Sequence, residues 1–154
     1  MGIFDFLSNK KQSFFTKEEE ERLVEAIRSA EKQTSGEIRI YMEQHCKFIN
    51  PLDRAKEVFV ELEMFKTQDR NAVLLYIATK DHQLALLGDE GIYQKMGQVF
   101  WDNEVKLMLA EFKQHHFIDG VCHIIGDIGE ALKTNFPYAS DDKNELDDGI
   151  VYGK

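Results

Sequence analysis

The sequence predicts an α/β protein, a three-layer α/β/α sandwich with a small mixed β-sheet flanked by helices. Three observations carry that expectation. Helical and strand periodicities alternate along the chain, one strand candidate is apolar at every position, and a short turn after it reverses the chain at once. A strand buried on both faces needs helices on both.

The first helix opens at Thr16, followed three residues later by Glu19, a capping box in which each side chain satisfies the other's free backbone N–H. Leu23, Val24, Ile27, Ala30 and Thr34 then recur at three- and four-residue steps, leaving Glu20, Glu21, Glu25 and Glu31 on the wet face. The acidic run is thus a solvated helix face, well placed for the N-terminal dipole. Ser35-Gly36 ends this helix. From Glu37 to Glu43 polar and apolar residues alternate, the period of a strand with one buried face. Asn50-Pro51 supplies an N-cap and a proline at the first helical position, and Leu52, Ala55, Val58, Phe59, Leu62 and Phe65 form the stripe of a second helix.

The run from Ala72 to Ala78 is the uniformly apolar strand, and a right-handed crossover makes it parallel to the strand before it. Thr79 to His82 is a short turn, so Gln83 to Leu87 returns antiparallel and the sheet is mixed. After Gly88-Asp89-Glu90-Gly91 a brief helix around Ile92 to Met96 is expected, then a longer one with Trp101, Val105, Met108 and Phe112 in one stripe, and a last one carrying Val121, Ile125, Ile128 and Leu132. Residues 1–13 read as an N-terminal segment, 14–137 as the α/β domain, and 138–154 as an acidic, mobile tail or loosely docked arm without periodicity.

A chain of 154 residues with 43% hydrophobic and 31% charged residues suits one domain with a sizeable core. Nineteen basic against 28 acidic residues give a net charge of -9, which disfavours nucleic acid and anionic lipid and suits cations or basic partners. Cys46 and Cys122 are too few and too far apart for a disulfide framework or a zinc ribbon, so reduced thiols in the cytoplasm are expected. No stretch has the length of a membrane span, and the apolar start is too short for an export signal. Gly2 is not followed by the Ser or Thr of a myristoylation motif, and the expected state is a monomer.

Parallel first and second strands, followed by a hairpin, bring the start of strand one, the start of strand two and the end of strand three to one edge. Glu37, Asp69, Arg70, Asn71, Asp89 and Glu90 then share a rim with the glycine turns 35–36 and 88–91. Carboxylates and an amide oxygen of this kind suit calcium or magnesium. No EF-hand loop is present, and for Asp89 and Glu90 helix capping competes with ligation, as it does for Asp119 ahead of Gly120.

Other chemistries are excluded by spacing. Neither cysteine has an arginine five residues on, as a cysteine phosphatase requires; strand two does not end in Asp-x-Asp; and Gly-Lys-[Ser/Thr] does not occur. His45, His115 and His116 lack zinc-site spacing and read as surface or helix-end histidines, and no nucleotide cofactor or zinc is implied. The Trp101 stripe reads as core, not as a stacking platform for nucleic acid.

Thr34-Ser35-Gly36-Glu37-Ile38, Arg70-Asn71-Ala72-Val73-Leu74, Gly88-Asp89-Glu90-Gly91-Ile92 and Phe117-Ile118-Asp119-Gly120, in that order, resemble the TPM domain family over about residues 14–136. Its better known members are plant thylakoid-lumen and photosystem II repair proteins and a worm receptor-modulating protein. The resemblance implies an α/β/α sandwich, divalent metal binding in some members, and a proposed acid phosphatase activity in the plant branch. It transfers a metal role to Asp69, Asn71, Asp89, Glu90 and Asp119, with Glu37 and Arg70 on the ligand-binding rim. The chain departs from the usual Arg-Asn-Gly and Gly-x-Gly-Leu-Glu patterns at Ala72 and at residues 90–92, and lacks the export signal and membrane tail of many members, as a cytoplasmic branch would.

Two functions remain open. One is a binding module for a divalent cation and a protein partner; the other is a metal-dependent phosphate-ester hydrolase with Arg70 steadying the anionic substrate.

Overall fold

The computed structural model describes residues 15–113, 116–138 and 150–153. Helix α1 (Lys17–Glu31) starts from the expected capping box, with Glu19 N–H donating to Thr16 Oγ1 at 3.1 Å and Thr16 N–H to Glu19 Oε1 at 2.9 Å. Strand β1 (Glu37–Glu43), helix α2 (Pro51–Glu61), strand β2 (Ala72–Ala78) and strand β3 (Gln83–Gly88) follow. Helices α3 (Glu90–Met96), α4 (Gln98–Lys113) and α5 (Phe117–Asn135) come next, and then strand β4 (Ile150–Tyr152).

The sheet runs β3-β2-β1-β4. Strand β1 pairs parallel with β2, Glu37 opposite Ala72, and β2 pairs antiparallel with β3, Val73 opposite Gly88. This is the expected mixed sheet with helices on both faces. One face carries Ile38, Ile40, Met42, Val73, Leu75 and Ile77 against the large core built with α1, α4 and α5. The other carries Tyr41, Leu74 and Tyr76 against Ala55, Val58 and Phe59 of α2.

Two expectations need correction. Strand β1 was expected to have one wet face, yet its first six residues are all buried, Glu37 and Arg39 included. Alternation reports the chemistry of a face, not its exposure, and at the end of the polar side Arg54 of α2 reaches Tyr41 and Glu43. The second concerns the tail. Residues 150–152 are not a loose arm: they form β4, parallel to β1, with Ile150 opposite Ile40 and Ile150 only 2% exposed. The Tyr152 hydroxyl donates to Glu20 Oε2 at 2.5 Å, and the Gly153 N–H donates to Met42 O at 2.6 Å. Three residues are too few for a strand period to be read. The rest of the expected tail, 139–149 and 154, and the whole expected N-terminal segment, 1–13, lie outside the described residues.

Candidate functional site

Three turns meet at the sheet edge where β1 and β2 begin and β3 ends. Their backbones are tied together: Asp89 N–H donates to Ala72 O at 2.9 Å, and Gly91 N–H to Arg70 O at 2.8 Å. The approach at Gly91 is so close that an added Cβ would lie 2.2 Å from Asp69 O and 2.6 Å from Arg70 O. Only a residue without a side chain fits. Arg70 itself adopts a left-handed backbone conformation, φ 52°, which turns the chain sharply into β2.

Within this rim the carboxylates divide into two groups. Asp89 caps α3, accepting Glu90 N–H at 2.8 Å. It is also gripped by Arg70, whose Nε donates to Asp89 Oδ2 at 2.7 Å and whose Nη2 donates to Asp89 Oδ1 at 2.9 Å. Arg70 Nη1 reaches Glu90 Oε1 at 3.2 Å. The hydrogen bonds to Asp89, with the charges of Asp89 and Glu90, raise the arginine's pKa above its ordinary value. Capping and guanidinium binding together therefore occupy the acids at 89 and 90.

Asp69 and Asn71 sit differently. Ser35 links them: Asn71 Nδ2 donates to Ser35 Oγ at 3.1 Å, and Ser35 Oγ makes a long contact of 3.5 Å to Asp69 Oδ2. Asn71 is 1% exposed, and its Oδ1 is buried without a hydrogen-bond partner. A buried amide oxygen in that state costs on the order of 1–3 kcal/mol, so a ligand that satisfies it gains that much. Glu37 is buried at the first position of β1, opposite Ala72.

Asp119 is not part of this rim. It lies in the first turn of α5, where Arg22 Nη2 donates to its Oδ1 at 2.7 Å. The other end of α5 is the one that reaches the rim, since Phe136 O accepts from Ser35 N–H at 3.1 Å and from the Thr34 hydroxyl at 2.5 Å. With a rise of 1.5 Å per residue the helix separates Asp119 from that end by roughly 24 Å. Asp119 therefore lies apart from the rim residues with which the resemblance gave it a metal role. Among the described residues, no group of three or more His, Cys, Asp and Glu side chains is arranged to hold a metal ion.

Two polar centres escaped the sequence reading. At the opposite edge Glu43 is clamped by Arg54, Nε to Oε2 at 2.9 Å and Nη2 to Oε1 at 3.1 Å, and the Tyr76 hydroxyl donates to the same carboxylate. Burial, then the bond to Glu43, pushes the Tyr76 hydroxyl's pKa up. The second centre is Glu104 on α4, 6% exposed and set against Asp127 of α5. A signal for it existed. Glu104 stands three residues after Trp101 and four before Met108, in the apolar stripe itself.

The layered fold and this rim define a small mixed-sheet α/β module. Sequence comparison puts it in a family: the TPM domain matches residues 8–131, and the chain belongs to the TPM domain family. The chain is similar to the BA42 protein of the psychrophilic bacterium Bizionia argentinensis, known from an NMR structure. Identity is 41%, the match covers 94% of this chain and 99% of that one, and the TM-score is 0.85. It also shares the fold of the N-terminal domain of the cg2496 protein from Corynebacterium glutamicum, with TM-score 0.64 at 9% identity over 87% of this chain and 83% of that one. No match is found among curated proteins. Among the described residues no helix is long and apolar enough to cross a membrane.

Proposed function

We propose that this TPM domain is a binding module, not a hydrolase: its rim takes a divalent cation, calcium or magnesium, at Asp69 and Asn71, and a protein partner docks beside it. The observation that carries the reading is the orphaned Oδ1 of Asn71, a buried oxygen next to a carboxylate whose one side-chain hydrogen bond among the described residues is the long one from Ser35. Hard cations seek such oxygens and complete their shell with water. With Asp89 and Glu90 held by Arg70, few protein ligands remain, and an affinity of about millimolar is expected. For the partner, a cleft of about 320 Å³ adjoins the rim, lined by Phe59, Val60, Phe65, Arg70 and Asp89 among others. Val60 is 62% exposed and Phe65 37%, an apolar edge next to charge.

The hydrolase reading requires Arg70 to hold a substrate anion, and that guanidinium is already satisfied by Asp89 and Glu90. Calcium and magnesium titrations followed by amide shifts test the proposal. Saturable movement at residues 35–37 and 69–72, lost in Asn71→Ala and weakened in Asp69→Asn, is the expected result; movement confined to the Glu43 edge rejects it. Hydrolysis of a generic phosphate ester that requires metal and is abolished by Asp69→Asn would restore the enzyme reading.

A further inference from the structure

The groove enclosed by the end of α3, by α4 and by α5 is unrelated to the rim cation. It has a volume of about 440 Å³ and is lined by Met96, Phe100, Glu104, Asp127, Glu130, Ala131, Thr134 and Asn135. Three of the lining residues are acidic and none is basic. Glu104 is the unusual member: it is 6% exposed, and its Oε1 is buried without a hydrogen-bond partner. Asp127 faces it from α5 and is itself approached by His123 Nε2, at 3.3 Å from Oδ2.

We propose that this groove is a binding site for an alkylammonium group, whose N–H bonds satisfy Glu104 Oε1 and the Asp127 carboxylate while its methylenes lie along Met96, Phe100 and Ala131. The chemistry selects that ligand over other cations. A bare metal ion does not fill a groove of this size and leaves the wall of Met96, Phe100 and Ala131 uncovered. A guanidinium prefers both oxygens of one carboxylate, whereas the facing acids here stand on two different helices. An ammonium carries three donors at one point and can reach two different acids. The apolar wall suits an alkyl stem.

The site is also linked to protons. Burial, then the hydrogen bond it donates to Asp127 and that carboxylate's charge, pushes Glu104 up to about 8, so Glu104 holds its proton at neutral pH. The titratable groups lining the groove beside Glu104 are Asp127 and Glu130 of α5, with His123 behind Asp127; α3 contributes only Met96. An arriving ammonium replaces the proton on Glu104. Binding therefore releases a proton below about pH 8, and affinity rises by up to about tenfold per pH unit before levelling off.

Two sources supply this chemistry, a free diamine or a lysine of a partner protein. The test titrates the full chain with cadaverine and, separately, with a lysine peptide blocked at both ends, following amide shifts and the side-chain carboxyl carbons of Glu104 and Asp127. Saturable shifts around residues 100–104 and 127–135, with affinity rising with pH and falling at least tenfold in Glu104→Gln, support the site. Tighter binding of the diamine assigns the free amine, and tighter binding of the peptide a partner's lysine. Asp127→Asn provides a second variant should Glu104→Gln not fold, and the pH dependence of the unsubstituted chain needs no variant. Shifts scattered over the acidic surface, equal response to tetramethylammonium, displacement by equimolar magnesium, or unchanged binding in a folded Glu104→Gln overturn the proposal.

Discussion

Glu43 and Glu104 are both buried glutamates, and their surroundings treat them in opposite ways. The side chain of Glu43 is 8% exposed and Glu104 is 6% exposed, so depth does not separate them. Company does. Glu43 meets a bidentate guanidinium, itself 15% exposed, and a tyrosine hydroxyl. Glu104 meets a second carboxylate and keeps an oxygen without a partner. In a medium of low dielectric the first arrangement offsets the loss of hydration, whereas the second drives protonation instead. The Glu43 edge is therefore closed and structural, and the Glu104 groove is open to a cation.

The largest expected effect comes from breaking the closed centre. Arg54→Met leaves Glu43 buried against Tyr76 with no positive charge, and removes the guanidinium from above the Tyr41 ring, where it sits 5.7 Å from the centroid. Loss of one partner from a buried pair costs about 3–5 kcal/mol. Urea unfolding measures it, and adding Glu43→Gln to Arg54→Met should recover much of the loss, because the stranded charge is gone. A loss of under about 1 kcal/mol, the range of a surface pair, would put the two glutamates on the same footing.

Next in size is the pH response of the open centre. The folded state holds a proton on Glu104 up to about pH 8, whereas the unfolded chain releases it in the usual carboxylate range near 4.5. The folded state therefore binds more protons between those values. Its stability is highest at the acidic end of that window, falls as pH rises towards about 8, and then levels off with respect to this group. Glu104→Gln should flatten the profile. Each kcal/mol corresponds to roughly 2–4 °C in the unfolding midpoint of a domain of this length, so thermal scans from pH 5 to pH 9, in steps of about one unit, resolve the slope. An equal slope in both proteins would mean that other groups carry it.

How much of this was legible in the sequence follows from range. The capping box at Thr16, the proline at the start of α2 and the apolar run 72–78 are local signals, and each became the expected element. The rim followed from chain direction alone, because a crossover and then a hairpin fix which strand ends share an edge. Contacts that join distant segments left no such trace. Strand β4 pairs with β1 across more than a hundred residues, and Arg54 finds Glu43 through the packing of α2 on the sheet. Asp119 shows the reverse case: an acid beside a helix start resembles a rim ligand in sequence, and only the length of α5 sets it apart from the rim.

The smallest effect separates capping from charge at the rim. Asp89 is 7% exposed, while the Arg70 side chain is 41% exposed and can recover water when released. Asp89→Ala removes the α3 cap and should cost about 1 kcal/mol. Asp89→Asn keeps an oxygen for Glu90 N–H, since asparagine caps as well as aspartate, and loses only the attraction to a half-open guanidinium, worth about 0–1 kcal/mol. The asparagine variant should therefore lie nearer to the unsubstituted protein than to the alanine variant in urea unfolding. If the two substitutions cost the same, the guanidinium and not the cap holds α3 to the rim. Asp89 would then belong with Glu43 among the charge-compensated centres, and the rim would be closed to a cation by the same device that closes the opposite edge.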